Sequence, residues 1–409
     1  MVAGWAKFYC IVNTMTIGHL TCGGQSTLQI MVQMTEIKAA LSRVIDPELG
    51  ADIVDLGMVK DVRVEDGHVT VKITLTIAAC PLRDQIENEV LRKLRAVPGV
   101  TDVTIEIGAM TQSERTELME RARLRAREQA EPTMVHPNTR VVAVSSGKGG
   151  VGKSSLSANL ALALAAQGHK VGLLDADIWG FSIPRILGLG DERLEAGEDK
   201  RIIPAVAHGI EVVSTGLLLD DEDTALMWRG LMLSKALEQF LRDVAWDQSL
   251  DYLLLDMPPG TGDVQMALAR LLPQAEMVVV TTPQLAAQKV AARVADMARR
   301  SHMPVIGVIE NMSGFTTPAG EHFPLFGKGG GEDLAVNLGV ELLGKIPIDP
   351  RVAEGGDAGN PVVVAEPDSA SGIAITRAAR SLTDLLPPIA DDGCSARLTL
   401  VAEQLAKMG

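Results

Sequence analysis

The chain has little of what several classes of protein require. Its 409 residues contain only four cysteines, and none of them share the Cys-x-x-Cys spacing of a short zinc or iron–sulfur segment: Cys10, Cys22, Cys80 and Cys394. Such low cysteine use is typical of a reducing compartment, so we expect a cytoplasmic protein. Apolar runs also stay short of the roughly 18 residues that a membrane span needs, so we expect no membrane partner.

Basic and aromatic residues are scarce as well. The net charge is −14, from 38 Lys and Arg against 52 Asp and Glu, and aromatic residues make up 3%. Binding to a nucleic-acid backbone needs a basic face, so this balance argues against nucleic acid as a partner. The remaining stock of Ala, Val, Leu and Gly is typical of an α/β protein, and this length suits two or three domains.

The first 33 residues differ from the rest. Lys7, Asn13 and His19 interrupt the apolar stretch that a secretion signal would need. We interpret residues 1–33 as a disordered extension or as a start codon placed too early, with Met34 as the start. A cleavable signal is the alternative.

Residues 34–109 have the pattern of a small α+β domain. Apolar spacing predicts a helix that extends to Ile45 and closes at Asp46 and Pro47. Two alternating segments on either side of Asp66 and Gly67 predict a β-hairpin with a type I′ turn. A charged amphipathic helix and a last strand complete the order α-β-β-α-β. Residues 110–139 are charge-dense and predict an exposed helical linker, whose arginines are a binding face or, the interpretation we favour, part of a solvated surface.

From residue 140 to 388 strands alternate with helices. Six continuous apolar runs predict a mostly parallel sheet that helices cover on both faces: 141–145, 171–175, 210–214, 252–256, 277–281 and 305–310. Residues 389–409 form a polar tail. The prediction is therefore an α/β protein with a doubly wound sheet, preceded by the small α+β domain.

The most informative segment lies between the first of these strands and a helix. It reads Gly147, Lys148, Gly149, Gly150, Val151, Gly152, Lys153, Ser154 and Ser155. A strand, a glycine loop and a helix form the context of a phosphate-binding P-loop, whose backbone N–H groups surround phosphate oxygens. Lys153 would reach the β and γ phosphates of ATP, and Ser154 would bind Mg²⁺. A second lysine such as Lys148 is typical of dimeric ATPases, in which it crosses to the partner's nucleotide.

Carboxylates follow two of the predicted strands. Asp175 and Asp177 stand at the end of one strand, and Asp256 ends another. We assign Asp177 to positioning the attacking water, Asp175 to the shell around Mg²⁺, and Asp256 to holding Mg²⁺ through water. Capping of a helix by a strand-end aspartate is the alternative for Asp175 and Asp177. The glycines after Asp256 predict a loop that senses the γ-phosphate.

These motifs together resemble the Mrp/ApbC family of iron–sulfur cluster carrier ATPases, within the MinD/ParA-type group of P-loop proteins. The resemblance covers roughly residues 34–388 and depends on segments 46–48, 76–81, 145–154, 175–180, 227–230, 256–263, 281–284 and 310–313. It implies a P-loop NTPase fold, a homodimer, contact of Asn311 with adenine, and a [4Fe–4S] cluster delivered to apo iron–sulfur proteins with assembly factors.

One departure from the family concerns the cluster itself. After residues 310–315 the family normally carries Cys-Pro-x-Cys, but this chain has Thr317 at the first cysteine and has lost the second, as Gly320 or in a gap. A hydroxyl is a poor ligand for cluster iron, so we expect the usual site to be absent. Cys80 remains as a cluster candidate, since it precedes a predicted helix whose dipole lowers a thiol pKa; a buried core cysteine is the alternative.

Three functions stay open from the sequence. The first is an ATPase that loads or transfers iron–sulfur clusters. The second is a MinD/ParA-like positioning switch, which would need a basic or membrane-binding face that the sequence does not provide. The third is a nucleotide-gated scaffold that holds no cluster, which the missing cysteines favour.

Overall fold

The structure, a computed structural model, describes residues 33–47, 49–76, 82–129, 132–178, 180–218, 231–260, 262–317 and 319–389. The chain divides into two compact units, Met1–Arg115 and Thr116–Gly409. The first unit contains helices α1 (Met34–Leu41) and α2 (Arg83–Arg95) and strands β1 (Val59–Glu65), β2 (His68–Leu75) and β3 (Asp102–Ala109). Helix α3 (Gln112–Gln129) runs from the first unit into the second.

The sheet of the small unit contains a β-hairpin, formed by β1 and β2. Asp66 and Gly67 both have left-handed backbone angles, φ 48° and 87°, as a type I′ turn requires. Strands β1 and β2 pair antiparallel across this turn, and β3 adds parallel to β2, giving the order β1-β2-β3. The hairpin and the order α-β-β-α-β are therefore as the sequence predicts.

The first helix is shorter than its apolar spacing suggests. It ends at Leu41 rather than reaching Ile45. Val44 is still buried, but it lies in the turn after the helix, while Ile45 is half exposed and pairs in an isolated bridge with Asp52. Pro47 disfavours helical angles in the residue before it, and the turn takes up the intervening positions.

Helix α3 begins with a capping box. The Glu114 carboxylate accepts hydrogen bonds from the backbone N–H and the hydroxyl of Thr111, at 2.8 and 2.9 Å, and pairs with Lys60 at 3.0 Å. Leu118 and Ala122 are buried, with 1% and 4% exposure. The predicted linker helix is therefore present, but it is not exposed along the stripe that contains Leu118 and Ala122.

The second unit is built on an eight-stranded sheet with two short hairpins beside it. Its strands are β4 (Arg140–Ser146), β5 (Val171–Asp175), β6 (Glu195–Ala196), β7 (Ile202–Ile203), β8 (Ala205–Ala207), β9 (Ile210–Ser214), β10 (Tyr252–Asp256), β11 (Glu276–Thr281), β12 (Val305–Glu310), β13 (Phe315–Thr316), β14 (His322–Phe323) and β15 (Glu341–Lys345). The sheet order is β15-β12-β11-β4-β10-β5-β9-β8, and every neighbouring pair is parallel except β8 with β9.

Helices cover both faces of this sheet. They are α4 (Lys153–Ala166), α5 (Ile183–Ile186), α6 (Leu231–Arg242), α7 (Asp263–Leu271), α8 (Leu285–Arg300), α9 (Gly330–Leu338), α10 (Pro350–Asp357), α11 (Val362–Ala365) and α12 (Ala370–Leu385), with a 3₁₀ turn over Thr215–Leu218. Alternate β4 residues face opposite cores: Val142 and Val144 pack with the α4 and α12 side, and Val141 and Ala143 with the α6, α7 and α8 side. The mostly parallel, doubly wound fold is confirmed.

The described helices include none that is long and apolar enough to cross a membrane. All six strands predicted for this unit are present. Strands β8 and β15 were missed, because both lie at sheet edges and lack a continuous buried apolar run.

Candidate functional site

The glycine loop joins the end of β4 to the start of α4 in the middle of the sheet. Gly150 and Gly152 have φ angles of 75° and 78°, which side chains other than glycine rarely adopt. Gly147 is required for another reason: a Cβ on it would lie 2.5 Å from backbone atoms of Val290 and Ala291 in α8. The loop is therefore held against α8 while its backbone curls at the N-terminus of α4, as an anion-binding loop does.

A cleft of about 260 Å³ opens over this loop. It brings together most of the residues that the sequence assigns to ATP. Ser146 at the end of β4 and three residues of neighbouring loops, Asp177, Gly180 and Pro259, complete the lining. The lining consists of Ser146, Lys148, Gly149, Gly150, Val151, Gly152, Lys153, Ser154, Ser155, Asp177, Gly180 and Pro259.

Asp256 is the charged centre beneath the cleft. Its buried carboxylate pairs with the Lys153 ammonium at 2.7 Å and accepts hydrogen bonds from the hydroxyls of Ser154 and Ser157, at 2.5 and 2.6 Å. One hydroxyl and one carboxylate thus face each other where the sequence places Mg²⁺. Hard oxygen donors of this kind fit Mg²⁺, which completes its shell with water and phosphate oxygens. Among the described residues no three His, Cys, Asp or Glu side chains are grouped so that they could hold a metal ion.

Asp175 lies beside Asp256 in the sheet register and is fully buried. Its carboxylate accepts hydrogen bonds from the backbone N–H groups of Asp177, Ser182 and Ile183 and from the Ser214 hydroxyl. Burial, reinforced by the negative charge of Asp256, raises the pKa of Asp175 to about 7. The residue therefore organises the loop after β5, and its part in the shell around Mg²⁺ stays a prediction.

Asp177 is the carboxylate that reaches the cleft from this loop. It lines the cleft together with Gly180, whose N–H donates to the Asp177 carbonyl. Burial raises the pKa of Asp177, while the nearby Lys153 opposes this rise. The position suits a residue that orients a water molecule.

Two further sequence-assigned residues remain: Lys148, which is half-buried and lines the rim of the cleft, and Asn311, which is not among the lining residues. The Lys148 ammonium donates a hydrogen bond to Gln284 Oε1 at 3.0 Å. The Asn311 amide donates to the Val151 carbonyl at 2.8 Å and so braces the glycine loop. Contact of Asn311 with adenine stays a prediction.

The loop after Asp256 is tied to the same strand as the glycine loop. Met257 and Gly260 donate backbone hydrogen bonds to the carbonyls of Val144 and Ser146. The buried Gln265 amide donates to both Ser145 Oγ and the Gly260 carbonyl, at 3.0 Å each. Hydrogen bonds thus join this loop to the end of β4, from which the glycine loop begins, and this placement suits a segment that responds to phosphate.

Sequence reasoning missed Ser157, Gln265 and Gln284. Ser157 lies three residues after Ser154 in the helix, so helical spacing alone could have placed its hydroxyl on the same face. Gln284 lies in segment 281–284, on which the resemblance depends. The sequence gives no reason to assign it a role, because nothing in the sequence shows that the chain after β11 passes beside Lys148.

The segment in which the resemblance implies two cysteines forms a small hairpin. Phe315 and Thr316 of β13 pair with Phe323 and His322 of β14. The turn closes with hydrogen bonds from the Thr317 N–H to the Glu321 carbonyl and from the Glu321 N–H to the Thr317 hydroxyl, at 2.9 and 3.2 Å. Gly320 has a φ of 88°. The hairpin offers hydroxyls, backbone groups, the Glu321 carboxylate and the His322 imidazole but no thiolate, so it does not fit a cluster that thiolates hold.

Cys80, the alternative cluster ligand, lies outside the residues that the structure describes. The same is true of Cys10, Cys22 and Cys394. The role of Cys80 therefore stays a prediction.

Comparisons with known families match both units. Residues 138–383 match the ParA family, described as a NUBPL iron-transfer P-loop NTPase. Residues 34–107 match the family of iron–sulfur cluster assembly proteins.

Named relatives match over most of their length. The iron–sulfur cluster carrier protein of Mycobacterium tuberculosis is 47% identical over 345 residues, 82% of this chain and 89% of the relative. That of Deinococcus radiodurans is 46% identical over 84% of this chain and 93% of the relative. A solved nucleotide-binding protein from Archaeoglobus fulgidus, in complex with ADP, is 37% identical over 56% of this chain and 89% of that chain, with a TM-score of 0.49.

The family matches and the identities agree with the motifs on which the resemblance depends. The P-loop match alone spans residues 138–383, more than half of the chain. The chain therefore belongs to the P-loop NTPase family of iron–sulfur cluster carrier proteins.

Proposed function

We propose that the protein binds and hydrolyses ATP with Mg²⁺ and uses this cycle to load or transfer iron–sulfur clusters to apoproteins. The observation that carries the proposal is the buried contact of Lys153 and Ser154 with Asp256 under the glycine loop, in a member of a cluster-carrier family. The low cysteine content supports a cytoplasmic location.

The cleft residues divide the work of hydrolysis. Backbone N–H groups of residues 149–154 and the Lys153 ammonium would bind the phosphates, and Lys153 would exchange its contact with Asp256 for one with phosphate oxygens. Ser154 and Asp256 would hold Mg²⁺, which supplies charge neutralisation at the β and γ phosphates. Asp177 would accept a hydrogen bond from the attacking water and orient it toward the γ-phosphate.

Lys148 supports a homodimer as the working form. Its ammonium lies at the rim of the cleft rather than beneath it, and a second lysine at this loop position is typical of dimeric ATPases. We propose that it stabilises transferred charge on the partner's nucleotide. The same division suggests that residues 140–388 hydrolyse ATP, that residues 34–109 form a separate domain for clusters or assembly factors, and that residues 110–139 connect the two.

The cluster is cargo in this proposal. Two versions of the proposal differ in whether the protein itself holds the cluster. In the carrier version Cys80 supplies thiolates, one from each subunit. In the scaffold version the protein holds no cluster and gates the work of other assembly factors. The thiolate-free hairpin over residues 315–323 favours the scaffold version for the second unit.

The decisive experiment measures three activities of the full chain. We expect Mg²⁺-dependent ATP hydrolysis, a mass of two chains in the presence of nucleotide, and ATP-dependent activation of an apo-enzyme that requires a [4Fe–4S] cluster. Hydrolysis without any effect on the apo-enzyme, with or without added assembly factors, would contradict the cluster function. Absence of hydrolysis would contradict the ATPase assignment.

A further inference from the structure

The two lysines of the glycine loop are held by different kinds of group. Lys153 contacts a buried carboxylate, Asp256, whereas Lys148 contacts the neutral side-chain amide of Gln284. Within the part of the chain that the structure describes, no carboxylate lies within ion-pair distance of Lys148. The positive charge of Lys148 is therefore oriented but not neutralised.

Gln284 is fixed relative to the glycine loop by the backbone. It is the N-cap residue of α8, with φ −63° and ψ 131°, and its carbonyl accepts hydrogen bonds from the N–H groups of Ala287 and Gln288. The same helix touches the loop at Gly147, where no Cβ would fit. Since one helix contacts the loop start and also begins at Gln284, the backbone of Gln284 is placed within reach of Lys148, and the 3.0 Å hydrogen bond sets the amide oxygen beside the ammonium.

An amide suits this task better than the two obvious alternatives. A carboxylate at the same place would form an ion pair and compete with phosphate for the ammonium. An apolar side chain would leave a long, flexible lysine to sample many rotamers, and the entropy lost on ordering it would oppose phosphate binding. A neutral acceptor restricts Lys148 and yields easily to a charged oxygen, because charge-assisted hydrogen bonds are stronger than those to neutral groups.

We propose that Gln284 is a positioning residue, which holds Lys148 oriented and charged at the rim of the cleft until a nucleotide phosphate takes its place. This inference rests on the proposed nucleotide role of Lys148, and it adds a side chain to which that role had not been assigned. It predicts that the type of side chain at position 284 controls how readily the Lys148 amine reacts with a reagent and how readily its ammonium contacts a phosphate.

The first test does not depend on hydrolysis. The full chain without nucleotide is treated with an amine-reactive reagent, and mass spectrometry follows the labelling rate of Lys148 relative to the exposed Lys170. We expect labelling of Lys148 to be faster in Gln284→Ala and slower in Gln284→Glu, by about threefold in each direction. Gln288→Ala is the matched control, because Gln288 donates to the Pro283 carbonyl of the same loop and not to Lys148. Equal labelling of Lys148 in all variants would overturn the proposal.

The second test asks whether Gln284 acts through Lys148. We expect Gln284→Glu to lower kcat for ATP several-fold at low salt and less at high salt, with little change in KM, since salt screens the new ion pair. In a Lys148→Ala background the same substitution should have no further effect. An equal loss in both backgrounds would show a merely structural role and overturn the proposal.

The two tests separate this inference from the proposed function. A chain that hydrolyses no ATP would contradict the ATPase assignment, yet the labelling rates would still decide whether Gln284 positions Lys148. Hydrolysis in the wild-type chain, combined with unchanged labelling in both Gln284 variants, would leave the ATPase assignment intact and remove Gln284 from it.

Discussion

The nucleotide cleft and the β13–β14 hairpin are held together in opposite ways. In the cleft, contacts between side chains hold the elements together: Lys153, Ser154 and Ser157 all contact the buried carboxylate of Asp256. In the hairpin the backbone does most of this work, through ladder pairs and a turn, supplemented by the Thr317 hydroxyl and by a 3.2 Å contact of the Thr316 hydroxyl with His322 Nδ1. A change of side chain is thus costly at these cleft positions and cheap at Thr317, whereas Gly320, with a φ of 88°, suits glycine.

This difference explains how one chain can keep one family motif and lose another. A cysteine at the hairpin turn contributes a ligand but little to the fold, so threonine can replace it without disturbing β13 or β14. Lys153 in the cleft contributes to ligand binding and also to the fold, because the buried Asp256 carboxylate would lose its charged partner without it. Substitutions of charged residues in the cleft should therefore cost more activity and stability than the substitution of Thr317 in the hairpin.

Lys153→Ala should abolish ATP hydrolysis, with a loss of at least about a hundredfold, because the phosphates lose their fixed cation. The same change should lower the free energy of unfolding by about 3–5 kcal/mol, since Asp256 loses its charged partner. Steady-state hydrolysis and urea unfolding measure the two effects. Lys170→Ala, which removes an exposed lysine paired with Asp247 at 3.4 Å, is the control and should change neither. Hydrolysis at the wild-type rate in Lys153→Ala would show that the site lies elsewhere.

Cluster content should depend on thiolates outside the hairpin. After anaerobic reconstitution of the full chain with iron and sulfide, any cluster should be lost in Cys80→Ser, because Thr317 and Gly320 offer no thiolate. Thr317→Cys combined with Gly320→Cys should restore iron binding at the hairpin, together with dimer formation, since a [4Fe–4S] cluster takes four thiolates and each chain would supply two. Equal cluster content in Cys80→Ser and the wild type would remove Cys80 from the mechanism.

Asp175 should make the second unit less stable as the pH rises. Its pKa is about 7 in the folded chain and about 3.9 when unfolded, so the folded state holds the proton more tightly. Its contribution to the free energy of unfolding is therefore complete below about pH 4 and is lost as the pH rises through 7, by up to about 4 kcal/mol.

Urea unfolding at several values between pH 5 and 8 measures this decline. Asp175→Asn should flatten it, because the amide does not titrate, whereas Asp368→Asn at an exposed position should leave it unchanged. A wild-type chain whose stability rises across this range, with the same slope in Asp175→Asn, would contradict the prediction.

Thr317→Val should have the smallest effect. It removes one partly exposed hydrogen bond, from the Glu321 N–H to the Thr317 hydroxyl, and should cost below about 1 kcal/mol in the free energy of unfolding. Hydrolysis of ATP should be unchanged. A loss of activity comparable with that of Lys153→Ala would mean that the hairpin takes part in the nucleotide site, and the contrast drawn above would fail.

The fold was predictable wherever buried residues form a recognisable apolar pattern in the sequence. Strands such as β5, β9, β10 and β12 are buried on both faces and appear as apolar runs with sharp ends, so their bounds could be predicted to the residue. Strands β8 and β15 lie at sheet edges, where partners outside the run decide whether a segment pairs. The end of α1 at Leu41 was decided by a turn that apolar spacing does not encode.

The convergence of the glycine loop and the strand-end carboxylates on one cleft was predictable, but the individual contacts were not. The glycine pattern and the strand-end carboxylates indicate which residues converge, since parallel strands bring their carboxyl ends to one edge. Which lysine contacts which acceptor depends on side-chain rotamers and on the placement of α8, so the pairs of Lys153 with Asp256 and Lys148 with Gln284 could not be derived. The different surroundings of Asp175 and Asp177 likewise come from the loop between β5 and α5.

The sheet order has a consequence for how the protein acquires its activity. Lys153 and Asp256 meet because β4 and β10 are neighbours, although about a hundred residues separate them along the chain, including all of β5 to β9. Closing so long a loop is slow compared with forming a helix or a local hairpin. We therefore expect the cleft to be completed late in folding, so that nucleotide binding during renaturation reports the arrival of the last native contacts rather than the first.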